Sequence, residues 1–281
     1  MVRSLEPFEI GVMFWAGGDP ASTLAELTAW GVRCGQLGIP GDLDLSCADA
    51  WRDALRRTHF AVYTVFAAFE GESYADIPAV RRTVGFIPRA TRAVREARMR
   101  EVIEFARAIE APGVATHIGF VPENAADPDY AGVRDMVQRL CDAARGLSFA
   151  LETGQEPANV LLEFLRNVDR SNLGINFDPA NMILYGTGDP VEALEQLAGH
   201  VLSVHCKDGD WPPAGQPDAL GEERALGTGS VGMERFLAAL RRVGYKGPLA
   251  IEREASDPAR RVRDVRNGIE LLRRLISASI Q

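Results

Sequence analysis

The chain of 281 residues has little cysteine, little histidine and no excess of positive charge. Its four cysteines, Cys34, Cys47, Cys141 and Cys206, show no CxxC or other zinc-binding spacing, which fits a reduced, cytoplasmic compartment. Lys and Arg total 31 against 39 Asp and Glu, a formal net charge of −8. A groove that tracks phosphates needs a basic field, so nucleic acid is not expected as a partner. The arginine-rich stretch "RATRAVREARMR" reads instead as a solvated helix face. No apolar run is long enough to span a bilayer, and the opening "MVRSLEPFEIGVMFW" returns to polar residues and glycine too soon for a signal peptide or anchor, so no membrane partner is expected. Also missing are a Ser/Gly linker, a composition shift and a charge block, any of which would mark a domain boundary.

What is present is a regular alternation. Eight apolar stretches of strand length, "FEIGVMFWA", "RCGQLGIP", "HFAVYTVFAAF", "GVATHIGF", "LSFALE", "NLGINFD", "VLSVHCKD" and "GPLAIERE", are each followed by a segment of helical period. The helical segments are 20–30, 47–58, 89–110, 129–145, 156–168, 190–198, 233–243 and 258–276. In the seventh, Phe236, Leu237, Leu240 and Val243 share one face. The pairs Asp19 and Pro20, Asp189 and Pro190, and Asp257 and Pro258 each set an N-cap acid before a proline at the first helical position. Eight such units without interruption predict one α/β domain over residues 1–281, a closed (β/α)₈ TIM barrel. A doubly wound open sheet is the alternative, but "FWAGGDPAS" lacks the GxGxxG spacing that such a sheet usually carries after its first strand. The longest insertions, 70–88 and 208–232, follow the third and seventh strands on the side where a barrel keeps its active site, and both are lid candidates.

The last four strands end on chemistry-bearing residues: Glu152 on the fifth, Asp178 on the sixth, His205 within the seventh and Glu252 on the eighth. In a barrel these ends lie side by side on one rim. Three carboxylates brought together repel by about 4 kcal/mol per pair at 4 Å and an effective dielectric of 20. The offset must come from a raised pKa, a basic side chain or a bound cation. Three oxygen ligands beside a neutral imidazole form a metal site suited to Mn²⁺, Mg²⁺, Co²⁺ or Fe²⁺, with Zn²⁺ also among the candidates.

The order Glu, Asp, His, Glu on strands five to eight, within "LETGQE", "NFDPAN", "HCKD" and "IERE" and together with "LGTGSV", resembles the xylose isomerase-like superfamily of sugar isomerases and epimerases. Its relatives include AP endonucleases, inosose dehydratases and dehydroshikimate dehydratases. The resemblance implies that Glu152, Asp178, His205 and Glu252 hold one divalent ion and that the two glutamates, Glu152 and Glu252, move the substrate proton, one on each face. A 2-keto sugar would chelate the ion through its carbonyl and a neighbouring hydroxyl, making the carbon-bound proton removable as an enediolate forms. Each general-base step is typically worth about 10²–10⁴-fold. Two positions depart from the ketose 3-epimerases. Asn181 stands where they have a histidine, and Lys207 where an arginine follows shortly after the strand-seven histidine. Asn181 can hydrogen-bond a hydroxyl but cannot shuttle a proton near neutral pH.

Further substrate contacts are expected around the rim. His117 closes strand four, facing a substrate hydroxyl or a second metal, or else packing in the core. Glu70 closes strand three, with a lid-loop salt bridge as its other reading. Lys207 and Asp208 read as substrate contacts or supports of the metal ligands. Gln155 and Glu156 lie where a strand-five loop reaches substrate, although Glu156 could simply charge the first turn of the next helix. Trp15 offers a sugar-stacking face or fills the barrel mouth. His59 and His200 stand away from the strand ends and read as structural. "LGTGSVG" could give backbone N–H groups to an anion, or serve as a tight turn into a helix.

The function expected first is a metal-dependent isomerase or epimerase of a ketose or related keto-polyol. A dehydratase that expels a β-hydroxyl from the same enediolate is the alternative. A repair nuclease, which needs a histidine-rich cluster of several metal ions, fits poorly with four histidines and a net charge of −8. A barrel that binds sugar without turnover is the non-enzymatic reading. Barrel helices with exposed apolar faces often pair, so a homo-oligomer is a general expectation rather than a reading of these residues.

Overall fold

All eight barrel strands read from the sequence are present in the computed structural model, which describes residues 8–216 and 218–278. They are β1 (Ile10–Trp15), β2 (Cys34–Ile39), β3 (Ala61–Ala67), β4 (Gly113–His117), β5 (Ser148–Glu152), β6 (Leu173–Phe177), β7 (Val201–Cys206) and, after two short strands, β10 (Leu249–Ile251). Every pairing is parallel, and the sheet closes in the order β1-β10-β7-β6-β5-β4-β3-β2. An open doubly wound sheet is thereby excluded.

The helices α1 (Pro20–Ala29), α2 (Ala48–Thr58), α4 (Arg89–Ala108), α5 (Pro128–Ala143), α6 (Ala158–Val168), α8 (Pro190–Leu197), α9 (Met233–Arg242) and α10 (Pro258–Ala278) follow the strands in turn. The Asp-Pro starts work as read. The Asp19 carboxylate accepts from Ser22 N at 2.8 Å, Asp189 from Val191 N and Glu192 N, and Asp257 from Ala259 N. The main core lies between the strands' outer faces and these helices, with Trp51, Phe86, Phe149, Phe164, Phe177 and Phe236 fully enclosed. A second, small apolar cluster of Met13, Phe66, Ala115 and Ala150 comes from alternate positions of β1, β3, β4 and β5. Since neighbouring strand residues point to opposite faces, these four fill one side of the barrel interior.

Three local features differ from expectation. The insertion 70–88 contains a helix, α3 (Ile77–Thr83), and 208–232 contains an antiparallel pair, β8 (Asp208–Asp210) and β9 (Glu222–Arg224). The two insertions meet where Ile77 N donates to Asp218 O at 3.2 Å. A short helix, α7 (Pro179–Leu184), follows β6, capped by Asp178 with Pro179 at its first position. Helix α6 starts at Ala158 and not at Glu156, because the residue before a proline, here Pro157, is pushed out of helical geometry.

The face "RATRAVREARMR" is not simply solvated. Arg92 donates to the carbonyls of Phe86 and Ile87, Arg95 to those of Gly85 and Glu70, and Arg98 to those of Pro40 and Leu43. Spaced by three, these arginines lie on one face of α4 and tie down the loops after β2 and β3.

Candidate metal centre

Side chains alternate along each strand, so Ala150 and Glu152 share one face, as do Asn176 and Asp178, and Ser203, His205 and Lys207. Those faces converge at the C-terminal rim. His205 Nδ1 lies 3.0 Å from Glu152 Oε1, 3.1 Å from Glu252 Oε2 and 3.8 Å from Asp178 Oδ2. One ligand atom from each of these four residues lies within 4.8 Å of the others. The group is enclosed: Asp178 and His205 are fully buried and Glu152 is 1% exposed.

Charge dominates this site. Burial, together with the charges of Glu252 and Asp178, holds Glu152 above the usual carboxylate range against the pull of His205. Burial acts the same way on Glu252, but the adjacent Lys207 and His205 outweigh it and hold that carboxyl well below its ordinary value. His205 resists charging through burial, yet Glu252 and Glu152 raise its pKa well above the ordinary value. Lys207 reaches in from the end of β7, with Nζ 3.0 Å from Glu252 Oε2, 3.4 Å from Glu254 Oε2 and 3.9 Å from Asp178 Oδ2.

The residues fit a divalent cation. Asp178 uses Oδ1 to cap α7, accepting from Ala180 N at 2.8 Å and Asn181 N at 3.1 Å. Its Oδ2 is buried with no hydrogen-bond partner. A carboxylate oxygen in that state, beside two glutamates and an imidazole, is a ligand set suited to a hard ion. Ligands at about 2.1 Å around one ion lie up to roughly 4.2 Å apart, close to the spread of these atoms.

Around this centre stand other rim residues. His117 Nε2 is 3.3 Å from Glu152 Oε2, and its Nδ1 is 3.2 Å from Gln155 Nε2, which also reaches the Tyr185 hydroxyl at 3.4 Å. Burial lowers the His117 pKa to about 4, so the ring is neutral near pH 7 and donates from Nε2 to Glu152. Phe66 and Tyr74 pack on His117 with ring centroids 5.5 Å away in each case, Tyr74 coming from the first insertion. Asn181 Nδ2 donates to Glu152 Oε1 at 3.3 Å. Trp15 shares the inward face of β1 with Met13, 40% exposed, and its ring lies so close to Gly38 that a Cβ there would come within 2.6 Å.

Two expected contacts are not brought to the centre. Glu70 is exposed and lines a groove with Gly41, Val94 and Arg98. The enclosed acid of that loop is Glu72, which accepts from Phe69 N at 3.1 Å and Gly85 N at 2.8 Å and faces Arg95. Glu72 is therefore the loop's anchor, and Glu70 projects into solvent. Asp208 turns away as well. Its carboxylate accepts from the backbone N–H groups of Gly209, Gly227, Gly229 and Val231 at 2.9–3.1 Å. The anion cradled by "LGTGSV" is thus this internal carboxylate, which has no capacity left for substrate.

Glu156 is buried, and both carboxylate oxygens lack a hydrogen-bond partner. The Val121 N–H is near but outside hydrogen-bond geometry, and burial pushes the acid up to about 8. With Gln155, Phe120 and Tyr185 it lines a groove of about 530 Å³ beside the mouth. His59 caps α2 in a left-handed conformation and His200 lies in a 3₁₀ turn before β7, both away from the centre.

The sequence reading missed the layer beneath the quartet. Gln36, Asn176 and Ser203 are buried polar residues on β2, β6 and β7 that touch one another or His205. A glutamine inside "RCGQLGIP" and an asparagine inside "NLGINFD" were visible signals, since a polar side chain in a strand buried on both faces needs a partner.

The family described as "Xylose isomerase-like TIM barrel" matches residues 24–275. A crystal structure of a xylose isomerase domain protein from Planctomyces limnophilus is 44% identical, covers 96% of this chain and 98% of that one, and superposes with a TM-score of 0.90. A xylose isomerase-like TIM barrel protein from Mycobacterium smegmatis, crystallised in complex with magnesium, is 17% identical over 98% of both chains, with a TM-score of 0.71. The 3-keto-D-glucoside 4-epimerase YcjR from E. coli is 16% identical over 95% of this chain and 99% of that one, with a TM-score of 0.67. At these identities the latter two show the shared fold alone. Two curated relatives match at 27% and 30% identity, and the chain spans about half their length, 55% and 41%. With a closed parallel barrel, a Glu-Asp-His-Glu cluster on its rim and a family match over nearly its whole length, the chain belongs to the xylose isomerase-like TIM barrel family.

Proposed function

We propose that this protein is a divalent-metal-dependent isomerase or epimerase of a ketose or related keto-polyol, with Glu152 and Glu252 moving the substrate proton. One observation carries the reading: Glu152 and Glu252 flank His205 Nδ1 at 3.0 and 3.1 Å, beside an Asp178 oxygen that has no hydrogen-bond partner. Glu152, Asp178, His205 and Glu252 would hold the ion, which when bound polarises the substrate carbonyl and so acidifies the neighbouring C–H. Mg²⁺, Mn²⁺ or Co²⁺ suits the oxygen-rich ligand set better than Zn²⁺ or Fe²⁺. The magnesium complex of the Mycobacterium smegmatis relative supports a hard ion.

Glu252, held ionised beside Lys207, is equipped to take the proton, and Glu152, whose pKa is raised, to return one from the other side. Lys207 stabilises the negative charge that develops on the enediolate oxygens. His117, Asn181, Gln155 and Trp15 would orient substrate hydroxyls, with Glu156 behind them in the adjoining groove. The epimerase activity named for the E. coli relative supports proton transfer next to a keto group. A single domain over 1–281 and a cytoplasmic location belong to the same reading. Residues 1–7 and 279–281 lie outside the described residues.

Asn181 and Lys207, in place of the epimerases' histidine and arginine, favour a second outcome for the same enediolate: loss of a β-hydroxyl. NMR of keto sugars incubated with the Mn²⁺-loaded protein distinguishes the two. A new stereoisomer or positional isomer supports the isomerase, a conjugated enone absorbing in the ultraviolet supports the dehydratase, and an unchanged panel removes both.

A further inference from the structure

Below the metal centre the barrel interior contains a closed polar network, with its members 2% exposed or less. Ser203 Oγ donates to Asn176 Oδ1 at 2.5 Å, and Gln36 Nε2 donates to the same oxygen at 2.9 Å. In the ring of strands β2 and β6 stand opposite each other, so the Gln36–Asn176 bond spans the full width of the barrel. An amide oxygen that accepts twice leaves its own NH₂ facing away, and Asn176 Nδ2 accordingly lies against the His205 ring, 3.3 and 3.2 Å from its two nitrogens. A Gln36 amide that donates to Asn176 has only its oxygen left for the other side. That oxygen sits 3.0 Å from His205 Nε2.

From this arrangement, and resting on the metal reading above, we infer that Gln36 is a positioning residue that fixes the tautomer of His205. The Gln36 carbonyl holds the proton on Nε2, so the Nδ1 lone pair is directed between Glu152, Asp178 and Glu252. The opposite arrangement, with both amides turned over, would put a Gln36 N–H against Nε2 and require the proton on Nδ1, where it blocks a metal bond. In the observed arrangement the Ser203 hydroxyl donates to Asn176 Oδ1, and Gln36 Nε2 donates to the same oxygen. Gln36 and Asn176 are fully buried and reach the centre through His205.

Two variants separate this role from mere packing. Gln36→Met keeps the side-chain length and removes the acceptor, whereas Gln36→Glu keeps an acceptor for Nε2–H. Calorimetric titration with Mn²⁺ is expected to show a dissociation constant raised about 10–100-fold for Gln36→Met. For Gln36→Glu, which keeps the acceptor for Nε2–H but loses the donor to Asn176 Oδ1, binding should be at least about tenfold tighter than for Gln36→Met. Long-range ¹H–¹⁵N spectra of the wild-type protein loaded with Mg²⁺, tractable with four histidines, should show His205 protonated at Nε2. That measurement does not depend on any variant folding. A Gln36→Met protein that melts like wild type and binds Mn²⁺ equally well overturns the inference, and so does a proton found on Nδ1. Wild-type protein that takes up no Mn²⁺ overturns the metal reading itself, and this inference with it.

Discussion

The Lys207 ammonium lies 3.0 Å from Glu252 Oε2, so one of the three clustered carboxylates is already paired before any cation arrives. With a divalent ion and a neutral His205, three carboxylates, one ammonium and two metal charges sum to zero. Lys207 therefore competes with the ion electrostatically while serving the chemistry. Lys207→Met is expected to bind Mn²⁺ about tenfold more tightly or better and to lose about 10² or more in kcat. Titration calorimetry alongside turnover checks this. Weaker metal binding together with unchanged kcat would give Lys207 a purely supporting role.

Glu156 is a buried acid whose pKa stands near 8 in the folded chain against 4.5 for the free side chain. The folded state keeps its proton between those values and the unfolded state does not. Stability is therefore full below about pH 4.5 and is lost as pH rises through about 8. Glu156→Gln cannot ionise. Its melting temperature relative to wild type should rise by about 5–10 °C between pH 5 and pH 9. Parallel melting curves that keep a constant gap over this range would mean that Glu156 is hydrated or paired in solution.

Asp208 organises the turn 227–231 through four backbone N–H groups. Asp208→Ala leaves those donors facing a void and should cost about 3 kcal/mol, roughly 10 °C in melting temperature. Stoichiometric Mn²⁺ binding should survive, since no atom of Asp208 belongs to the quartet. Normal stability combined with a large rise in KM would return Asp208 to the substrate contacts.

The barrel was legible because its signals are long-range and repetitive. Apolar stretches such as "LSFALE" and "NLGINFD" end on acids, and the Asp-Pro pairs at 19–20, 189–190 and 257–258 mark helix starts. What escaped depends on short segments and tertiary partners. Helix α7 is only six residues long, though the Asp178-Pro179 pair that starts it follows the same rule as the others. Glu70 and Glu72 are equivalent on paper; Arg95 and the Gly85 N–H decide which of them is enclosed. Asp208 looked like a rim residue because it follows His205 by three, but the glycines that consume its carboxylate come about twenty positions later. Gln36 stood in plain view inside β2, and its meaning depends on Asn176 across the barrel.

Removal of a proton from the carbon next to a keto group is most directly tested by deuterium exchange. The Mn²⁺-loaded protein is incubated with a panel of keto sugars in deuterium oxide, and the sugars are read by NMR, with Glu152→Gln and Glu252→Gln in parallel. Deuterium should enter at the carbon adjacent to the carbonyl of at least one substrate with wild type, slow by about 10²-fold or more in each variant, and stop on chelation of the metal. A protein that binds one Mn²⁺ per chain yet exchanges no carbon-bound proton across the panel would contradict the assignment.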